Sequence, residues 1–243
     1  MPKTCIVIPC HNEVARLDIN ELLSYAEAQP SIHFLLVDDG STDDTALQLA
    51  LLKQKNEEQF NYISRKENWG KAASVRQAVL ESNKWKSFDF IGYFDADFAA
   101  PLAEINNLLY YFEKFPELLF VVGSRKKTTD NVIKRKKIRH ILGRICTAII
   151  TWSLRLPVYD TQCGAKIVQT ATAMQLFNEP FIDRWLFDVE LICRFRKIHG
   201  KEISKLLVEV PVKQWTEKGN SRIRFLDVVM LPGKIIRLLI HYI

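Results

Sequence analysis

Two aspartates separated by one alanine, Asp95 and Asp97, directly follow the apolar run Phe90–Phe94. Carboxylates held this close without a counter-ion repel each other, so one of them tends to stay protonated. A divalent cation removes that repulsion, because Mg²⁺ and Mn²⁺ prefer oxygen ligands and Mg²⁺ is usually held by one or two carboxylates plus substrate phosphates. The pair therefore fits a metal clamp on a phosphorylated ligand. It fits a solvated turn, with Asp97 capping a helix that begins near Pro101, about as well.

A second acidic pair, Asp38 and Asp39, follows another apolar run, Ile32–Val37. A turn with Gly40 and a Ser or Thr before a helix needs no function to explain it. The same carboxylates are also placed to hydrogen-bond the ribose or base of a nucleotide. Neither Gly-x-Gly-x-x-Gly nor Gly-x-x-x-x-Gly-Lys-Ser/Thr occurs in the sequence, so it contains neither a dinucleotide fingerprint nor a phosphate-binding loop.

The elements that must position these carboxylates are short apolar runs alternating with longer mixed segments. Helical spacing occurs between the runs, as in Asp43–Asn56, Lys71–Ser82 and Leu102–Phe115. This alternation predicts βαβ units and an α/β fold whose mostly parallel central sheet is flanked by helices. Ligands bind at the carboxyl ends of such strands, so the polar residues after the first, second and fourth runs should meet at one rim. The predicted strands are Thr4–Ile8, Ile32–Val37, Phe60–Ile63, Phe90–Phe94 and Leu118–Val122.

The second half of the chain reads differently. Apolar residues at helical spacing between Ile138 and Trp152 predict one helix, Arg184–Ile198 predicts another, and Glu202–Val212 predicts a further strand. With 243 residues, of which 48% are hydrophobic, the chain suits one domain, 1–243, with a sizeable core.

The positive charge is concentrated in one segment. Residues 125–144 hold nine Lys or Arg and one acid, a local charge of +8 in a chain whose total is +6. A basic cluster followed by an apolar helix face suits an anionic membrane interface, where each Lys or Arg contributes about 1 kcal/mol. A solvated basic loop before a core-facing helix is the alternative. Nucleic-acid binding is less attractive, because no recognition module accompanies the cluster.

The cysteines and the hydropathy indicate the compartment. Five scattered cysteines without a Cys-x-x-Cys pair or a secretory signal peptide favour reduced thiols in a cytosolic protein. No apolar stretch approaches the roughly 18 residues of a membrane span. We therefore expect a cytoplasmic protein whose membrane contact, if any, is peripheral.

An ordered set of motifs resembles the family-2 glycosyltransferases, which have a GT-A fold. Later segments are similar to the polyprenyl-phosphate branch, nearer to the dolichyl-phosphate β-glucosyltransferases than to the mannosyl enzymes. The resemblance covers about residues 4–226. The motifs are Ile8-Pro9-x-x-Asn12-Glu13, Val37-Asp38-Asp39-Gly40-Ser41-x-Asp43, Asn68-x-Gly70-Lys71, Phe94-Asp95-Ala96-Asp97, Gly123-Ser124-Arg125, Asp160 to Lys166, Arg184 to Leu191 and Trp215 to Arg222.

The resemblance implies a nucleotide-sugar-binding half, 1–124, and an acceptor- or membrane-facing half, 125–243. In the first half, Asp95 and Asp97 would bind Mg²⁺ or Mn²⁺ bridging the diphosphate of a UDP-sugar. The uridine end would be held by Pro9, Glu13, Asp38 and Asp39, with Lys71 as a further contributor.

In the second half, the resemblance makes Ser221 and Arg222 the pair that closes on the diphosphate and Arg125 the residue that grips the acceptor phosphate. Asp188 is the candidate catalytic carboxylate. Glu190 lies on another face of the predicted helix and would be structural. One departure concerns the motif itself: Phe98-Ala99-Ala100 is apolar where the family usually has a polar residue or glycine.

The expected function is that of an inverting, metal-dependent glycosyltransferase. It would move a hexose, glucose first, from a UDP-sugar to a polyprenyl (dolichyl or undecaprenyl) phosphate at the cytoplasmic membrane face. Two rivals stay open: a family-2 enzyme acting on a saccharide hydroxyl, and a non-catalytic nucleotide-sugar-binding protein. A hydroxyl acceptor would need a general base, whereas a lipid phosphate is already ionised near neutral pH.

Overall fold

The computed structural model describes residues 2–134, 150–153, 156–218 and 230–242. Seven strands form one sheet, in the order β3-β2-β1-β4-β7-β5-β8, and β6 pairs with β9 in a small parallel ribbon. All pairs in the large sheet are parallel except those of β7, which runs antiparallel to β4 and β5. The strands are β1 Thr4–Cys10, β2 Ile32–Asp39, β3 Phe60–Arg65, β4 Phe90–Phe94, β5 Phe120–Ser124, β6 Val132–Lys134, β7 Ala165–Gln169, β8 Leu207–Pro211 and β9 Gln214–Thr216.

Helices cover both faces of the large sheet, because its central strands are apolar on both sides, as is typical of parallel sheets. On β1, Val7 belongs to the core on the α3 and α6 face, whereas Ile6 belongs to the core on the α1 and α4 face. The described helices are α1 Ile19–Ala28, α2 Thr45–Lys55, α3 Lys71–Trp85, α4 Glu104–Lys114, α5 Thr170–Leu176, α6 Phe187–His199, α7 Ile203–Leu206 and α8 Leu231–Tyr242.

The strand registers bring the polar clusters to one rim. Cys10, at the end of β1, lies beside Asp38 of β2. Because β7 is antiparallel, its first residue, Ala165, lies beside Phe94, the last residue of β4. The carboxyl ends of β1, β2, β4 and β5 therefore share a rim with the start of β7, and the predicted convergence is confirmed.

The five predicted strands of the first half are confirmed, with small differences at their ends. Both β1 and β2 run two residues further than predicted, so Pro9, Asp38 and Asp39 lie within strands. The prediction of a continuous strand over Glu202–Val212 was wrong, because its first part is the helix α7 and only Leu207–Pro211 is extended. Ile203 and its neighbours carry apolar residues at helical rather than alternating spacing, which explains the difference.

Two further predictions concern the second half. The helix predicted up to Trp152 lies mostly outside the described residues, although 150–153 are helical. In the part of the chain that the structure covers, no helix is long and apolar enough to cross a membrane. The cysteines described there, Cys5, Cys10, Cys163 and Cys193, are free thiols and buried.

Candidate active site

The Asp95 carboxylate stands at the centre of the rim. Its side chain is 44% exposed, and its Oδ1 atom lies 2.6 Å from the Lys71 ammonium. Lys71 is the first residue of α3 and lies over the rings of Tyr93 and Phe187. Burial disfavours the ammonium, but the charges of Asp95 and Asp188 outweigh it and raise the pKa of Lys71. Asp95 therefore already has a cationic partner while remaining open to solvent.

Asp97 lies within a tight turn. The Phe98 amide donates to the Asp95 carbonyl, and the Ala99 amide donates to Asp97 Oδ1 at 3.0 Å. Burial of the Asp97 carboxyl, and then the negative charge of Asp95, raise its pKa above the ordinary value. Asp97 is therefore less readily ionised than an exposed aspartate.

The apolar tail of the motif is explained by packing. Phe98 is only 2% exposed and adopts φ +47°, a left-handed conformation that is unusual for a bulky residue. Its ring belongs to the core on the α1 and α4 face. The carbonyl of Ala99 accepts a hydrogen bond from the Thr216 amide of β9. The departure from the family pattern thus anchors the turn that carries both aspartates.

The backbone of Gly164 lies directly against the side chain of Asp95. A Cβ atom on Gly164 would lie 1.8 Å from Asp95 Oδ2, so a larger residue cannot occupy this position without moving the carboxylate. The two residues meet because the antiparallel register places the residue before Ala165 next to the residue after Phe94. This contact was not foreseen, since it depends on the direction of β7.

The second acidic pair is held by protein donors. Asp38 accepts hydrogen bonds from the Ser41 amide and the Ser64 hydroxyl. Asp39 accepts from the amides of Trp69 and Gly70 at 2.9 and 2.7 Å and from the Arg65 guanidinium at 3.1 Å.

The contacts of Asp39 tie the two acidic clusters together. Asp39 is 3% exposed, so most of its hydrogen-bonding capacity orders the loop before α3. That loop leads directly into Lys71, whose ammonium reaches Asp95. The uridine end and the metal end of the predicted site are therefore linked through residues 69–71.

The loop after β1 contributes Glu13. Its carboxylate pairs with Arg16 at 2.7 Å, and its amide donates to the Thr45 hydroxyl. The Arg16 charge in turn acts on Asp97, whose pKa it lowers against the stronger raising effects. The structure thus brings Pro9 and Glu13 to the same rim as Asp38, Asp39, Asp95 and Asp97.

Arg125 directly follows β5. Its Nε and Nη2 atoms donate to the two oxygens of the buried Asp160 at 2.7 Å each, and it packs over Trp215. This two-point contact lets Asp160 orient the guanidinium of Arg125.

Asp188 and Glu190 take separate places on α6, as their spacing predicted. Asp188 accepts hydrogen bonds from Tyr93 and from the fully buried Lys166. Burial would raise the pKa of Asp188, but the charges of Lys166 and Lys71 outweigh it and lower that pKa.

Glu190 instead accepts from Arg194, from the Tyr242 hydroxyl and from the Ile182 amide. These contacts support the structural role expected of it. The catalytic role of Asp188 stays a prediction. The two remaining predicted residues, Ser221 and Arg222, lie outside the described residues.

A mostly parallel sheet with an Asp-Ala-Asp pair at its carboxyl rim defines the GT-A class of nucleotide-sugar transferases, as predicted. A solved structure of Mycobacterium tuberculosis glucosyl-3-phosphoglycerate synthase, in complex with Mn²⁺, UDP and glucosyl-3-phosphoglycerate, matches with a TM-score of 0.67. The match covers 99% of this chain and 80% of that one at 16% identity, which supports the fold alone.

The family model for glycosyl transferase family 2 matches residues 5–176, so the chain belongs to that family. Two curated relatives are both described as dolichyl-phosphate beta-glucosyltransferase. The one from Saccharomyces cerevisiae is 30% identical over 89% of this chain and 68% of its own length. The one from Dictyostelium discoideum is 28% identical over 98% of this chain and 74% of its own length.

Proposed function

We propose that this protein transfers glucose from UDP-glucose to dolichyl phosphate or a similar polyprenyl phosphate. The observation that carries the proposal is the open Asp95 carboxylate, beside Asp97 and already paired with a cation, at the rim of a family-2 fold. The names of the curated relatives support this donor and acceptor.

The residues present fit a divalent cation. Asp95 keeps a 44% exposed side chain, and its carboxylate already binds an ammonium group. After burial, the negative charge of Asp95 is the next cause of the raised pKa of Asp97, and a divalent cation would offset that repulsion. No group of three or more His, Cys, Asp or Glu residues with metal-site geometry occurs in the described residues, and a two-carboxylate site completed by substrate phosphates is typical of Mg²⁺. When bound, Mg²⁺ or Mn²⁺ would supply Lewis-acid stabilisation of the leaving diphosphate.

The donor would lie along the rim. Pro9, Glu13, Asp38 and Asp39 surround the end proposed for uridine. Asp39 keeps capacity for a further donor on Oδ2, which accepts one hydrogen bond from Gly70. Lys71 would turn from Asp95 toward the diphosphate, while Ser221 and Arg222 are proposed to close over it.

The acceptor needs no general base. An ionised phosphate oxygen attacks the anomeric carbon as the bond to the β-phosphate oxygen breaks, so UDP leaves and the configuration inverts. Positioning and charge stabilisation then supply most of the catalysis. Arg125, oriented by Asp160, supplies a guanidinium suited to the acceptor phosphate. The lowered pKa of Asp188 makes it a weak base, which agrees with this chemistry.

We also propose a peripheral membrane contact. In α8, Leu231, Ile235 and Leu238 are buried, while Ile236 and Ile240 are 55% and 82% exposed. Trp152, which follows the basic segment 125–144, is 84% exposed. Apolar side chains beside basic ones suit the interface of an anionic bilayer.

Vesicle sedimentation tests the membrane contact. The double variant Ile236→Ser/Ile240→Ser should bind phosphatidylserine vesicles more weakly than the wild type. The matched control is Leu47→Ser/Leu51→Ser on α2, whose side chains are 59% and 44% exposed. Equal binding by both double variants and the wild type would contradict the contact.

The transfer assay tests the proposed function. Purified protein with labelled UDP-glucose should glucosylate dolichyl phosphate in the presence of Mg²⁺ or Mn²⁺ and stop when excess chelator is added. UDP-galactose and GDP-mannose serve as donor controls, and an oligosaccharide serves as the acceptor control. Transfer only to the oligosaccharide would overturn the acceptor assignment, and full activity in chelator would overturn the metal assignment.

A further inference from the structure

A fully buried lysine lies next to the residues that contact Asp95, which are Lys71 and Gly164. Lys166 of β7 pairs in register with Tyr93 of β4, and its side chain is 0% exposed. Its ammonium donates to the Cys163 carbonyl and to Asp188 Oδ1, both at 2.6 Å. The Tyr93 hydroxyl donates to the same Asp188 oxygen. A buried charge needs a partner, and Asp188 neutralises this one.

Lys166 is connected to Asp95 through the backbone of residues 163 and 164. Lys166 holds the carbonyl of Cys163, and the next residue, Gly164, is the one whose missing Cβ would collide with Asp95 Oδ2. The position of the Gly164 backbone is thus tied to the buried ammonium. The Asp95 carboxylate in turn rests against that backbone.

The same network is connected to Asp95 by a second route, through Lys71. The Lys71 ammonium lies 5.6 Å from the centroid of the Tyr93 ring and contacts Asp95 Oδ1. The Tyr93 hydroxyl that fixes this ring is bound to Asp188. Both supports of the Asp95 carboxylate, Gly164 on one oxygen and Lys71 on the other, therefore depend on the Tyr93, Asp188 and Lys166 network.

We propose that Lys166 is a positioning residue for the cation site, acting through Cys163 and Gly164, with Asp188 and Tyr93 as its partners. The inference rests on the proposed function, since it assumes a divalent cation on Asp95 and Asp97. Groups that orient metal ligands typically contribute 10- to 100-fold to metal affinity. Loss of this network should therefore weaken Mn²⁺ binding while leaving the fold in place.

The chain offers a matched control on the same helix. The Tyr242 hydroxyl donates to Glu190 Oε1 at 2.8 Å, two residues beyond Asp188 on α6. Both Tyr93→Phe and Tyr242→Phe delete one oxygen that donates to a buried carboxylate. Of these two tyrosines, in the described residues, it is Tyr93 whose ring lies under Lys71, the residue that pairs with Asp95.

The experiment measures the Mn²⁺ dissociation constant by electron paramagnetic resonance in the presence of UDP. We expect Tyr93→Phe and Lys166→Met to weaken Mn²⁺ binding by about tenfold or more. Tyr242→Phe should leave it within about twofold of the wild type, because the hydroxyl of Tyr242 bonds to Glu190 and not to the residues that support Asp95. Circular dichroism and melting curves check that each variant is folded. If Lys166→Met does not fold, Tyr93→Phe decides the question.

The outcomes separate this inference from the proposed function. Unchanged Mn²⁺ affinity in a folded Tyr93→Phe variant, with a loss in Asp97→Asn, overturns the positioning role and keeps the metal site. An equal loss in Tyr242→Phe also overturns it, because the effect would then be general. If the wild type binds no Mn²⁺, or Asp97→Asn binds it as tightly, the metal site itself fails and the inference falls with it.

Discussion

Two pairs of aspartates end neighbouring parts of the same sheet, and the structure treats them differently. Asp38 and Asp39 are 2% and 3% exposed, and backbone amides, a hydroxyl and a guanidinium occupy their oxygens. Asp95 has a 44% exposed side chain that forms an ion pair with Lys71, whose side chain is 33% exposed, and Asp97 has a raised pKa. The first pair mainly orders loops at the end proposed for uridine, whereas the second pair lies at the end proposed for the diphosphate and the cation.

The same sequence pattern at strand ends thus serves two tasks. Buried carboxylates that accept several protein donors stabilise the rim, because a buried carboxylate must be hydrogen-bonded. Carboxylates with too few donors favour a cation. We therefore expect Asp39 to contribute mainly to stability, and Asp95 and Asp97 to bind the metal.

Asp97→Asn should reduce glucose transfer by about 1,000-fold or more, because losing several kcal/mol of charge stabilisation at about 1.4 kcal/mol per factor of ten gives that range. The fold should remain, since the asparagine oxygen can still accept from the Ala99 amide. A raised pKa in the folded state means that ionised Asp97 costs stability as the pH rises through that pKa. The melting temperature at neutral pH should therefore stay equal or increase. A folded variant with wild-type transfer would contradict the metal assignment.

Gly164→Ala should weaken Mn²⁺ binding by about 10- to 100-fold, as expected when the surroundings of a metal ligand change. The new Cβ would overlap Asp95 Oδ2 and displace the carboxylate. The control is Gly233→Ala in α8, where an added Cβ meets nothing within 4 Å. Titration with Mn²⁺ and UDP measures both. Similar affinities for the two variants would mean that the contact with Gly164 does not position Asp95.

Asp39→Asn should mainly cost stability, about 3 kcal/mol in urea unfolding, because it leaves the guanidinium of Arg65 without its buried partner. The asparagine amide would also face the amide of Gly70 or Trp69. Mn²⁺ affinity of the folded fraction should change much less than in Asp97→Asn. A loss below about 1 kcal/mol, at the level of an exposed pair, would show that Asp39 is not the structural member of the comparison.

Asp95→Asn should lower the pKa of Asp97, since the Asp95 charge is the second cause, after burial, that raises it. The wild-type Asp97 carboxyl should titrate above the ordinary aspartate value of about 3.9. A ¹³C NMR titration of side-chain carboxyls measures the change. Asp43 provides an internal reference, because hydrogen bonds from Thr45 outweigh its desolvation and lower its pKa. An unchanged Asp97 titration would mean that the two carboxylates do not interact.

Much of the fold was predictable because the first half has apolar runs of strand length separated by helix formers. Phe90–Phe94 is a short apolar run between helix formers, the pattern typical of a strand in a parallel sheet. The β7 strand was missed, since Ala165–Gln169 is short and contains Lys166, whose burial depends on a distant partner, Asp188. The start of α7 was misread as strand because Ile203 begins a very short helix.

The candidate site was predictable in its residues but not in their division of labour. The motifs correctly predicted that Asp38, Asp39, Asp95 and Asp97 lie at the same rim of the sheet. Sequence alone could not tell which pair of carboxylates accepts many hydrogen bonds from the protein, because the donors come from loops and strands far along the chain. The apolar Phe98 looked like a departure and proved to be the anchor of the turn, a role that depends on burial.

The most direct test is the coupling between UDP and Mn²⁺ binding, measured by isothermal titration of UDP with and without the metal. In the wild type, Mn²⁺ should increase UDP affinity at least about tenfold, a coupling of about 1.4 kcal/mol. That coupling should disappear in Asp97→Asn and persist in folded Asp39→Asn. Coupling that survives in Asp97→Asn, or that is absent from the wild type, would contradict the central claim that the open pair at the end of β4 holds the cation.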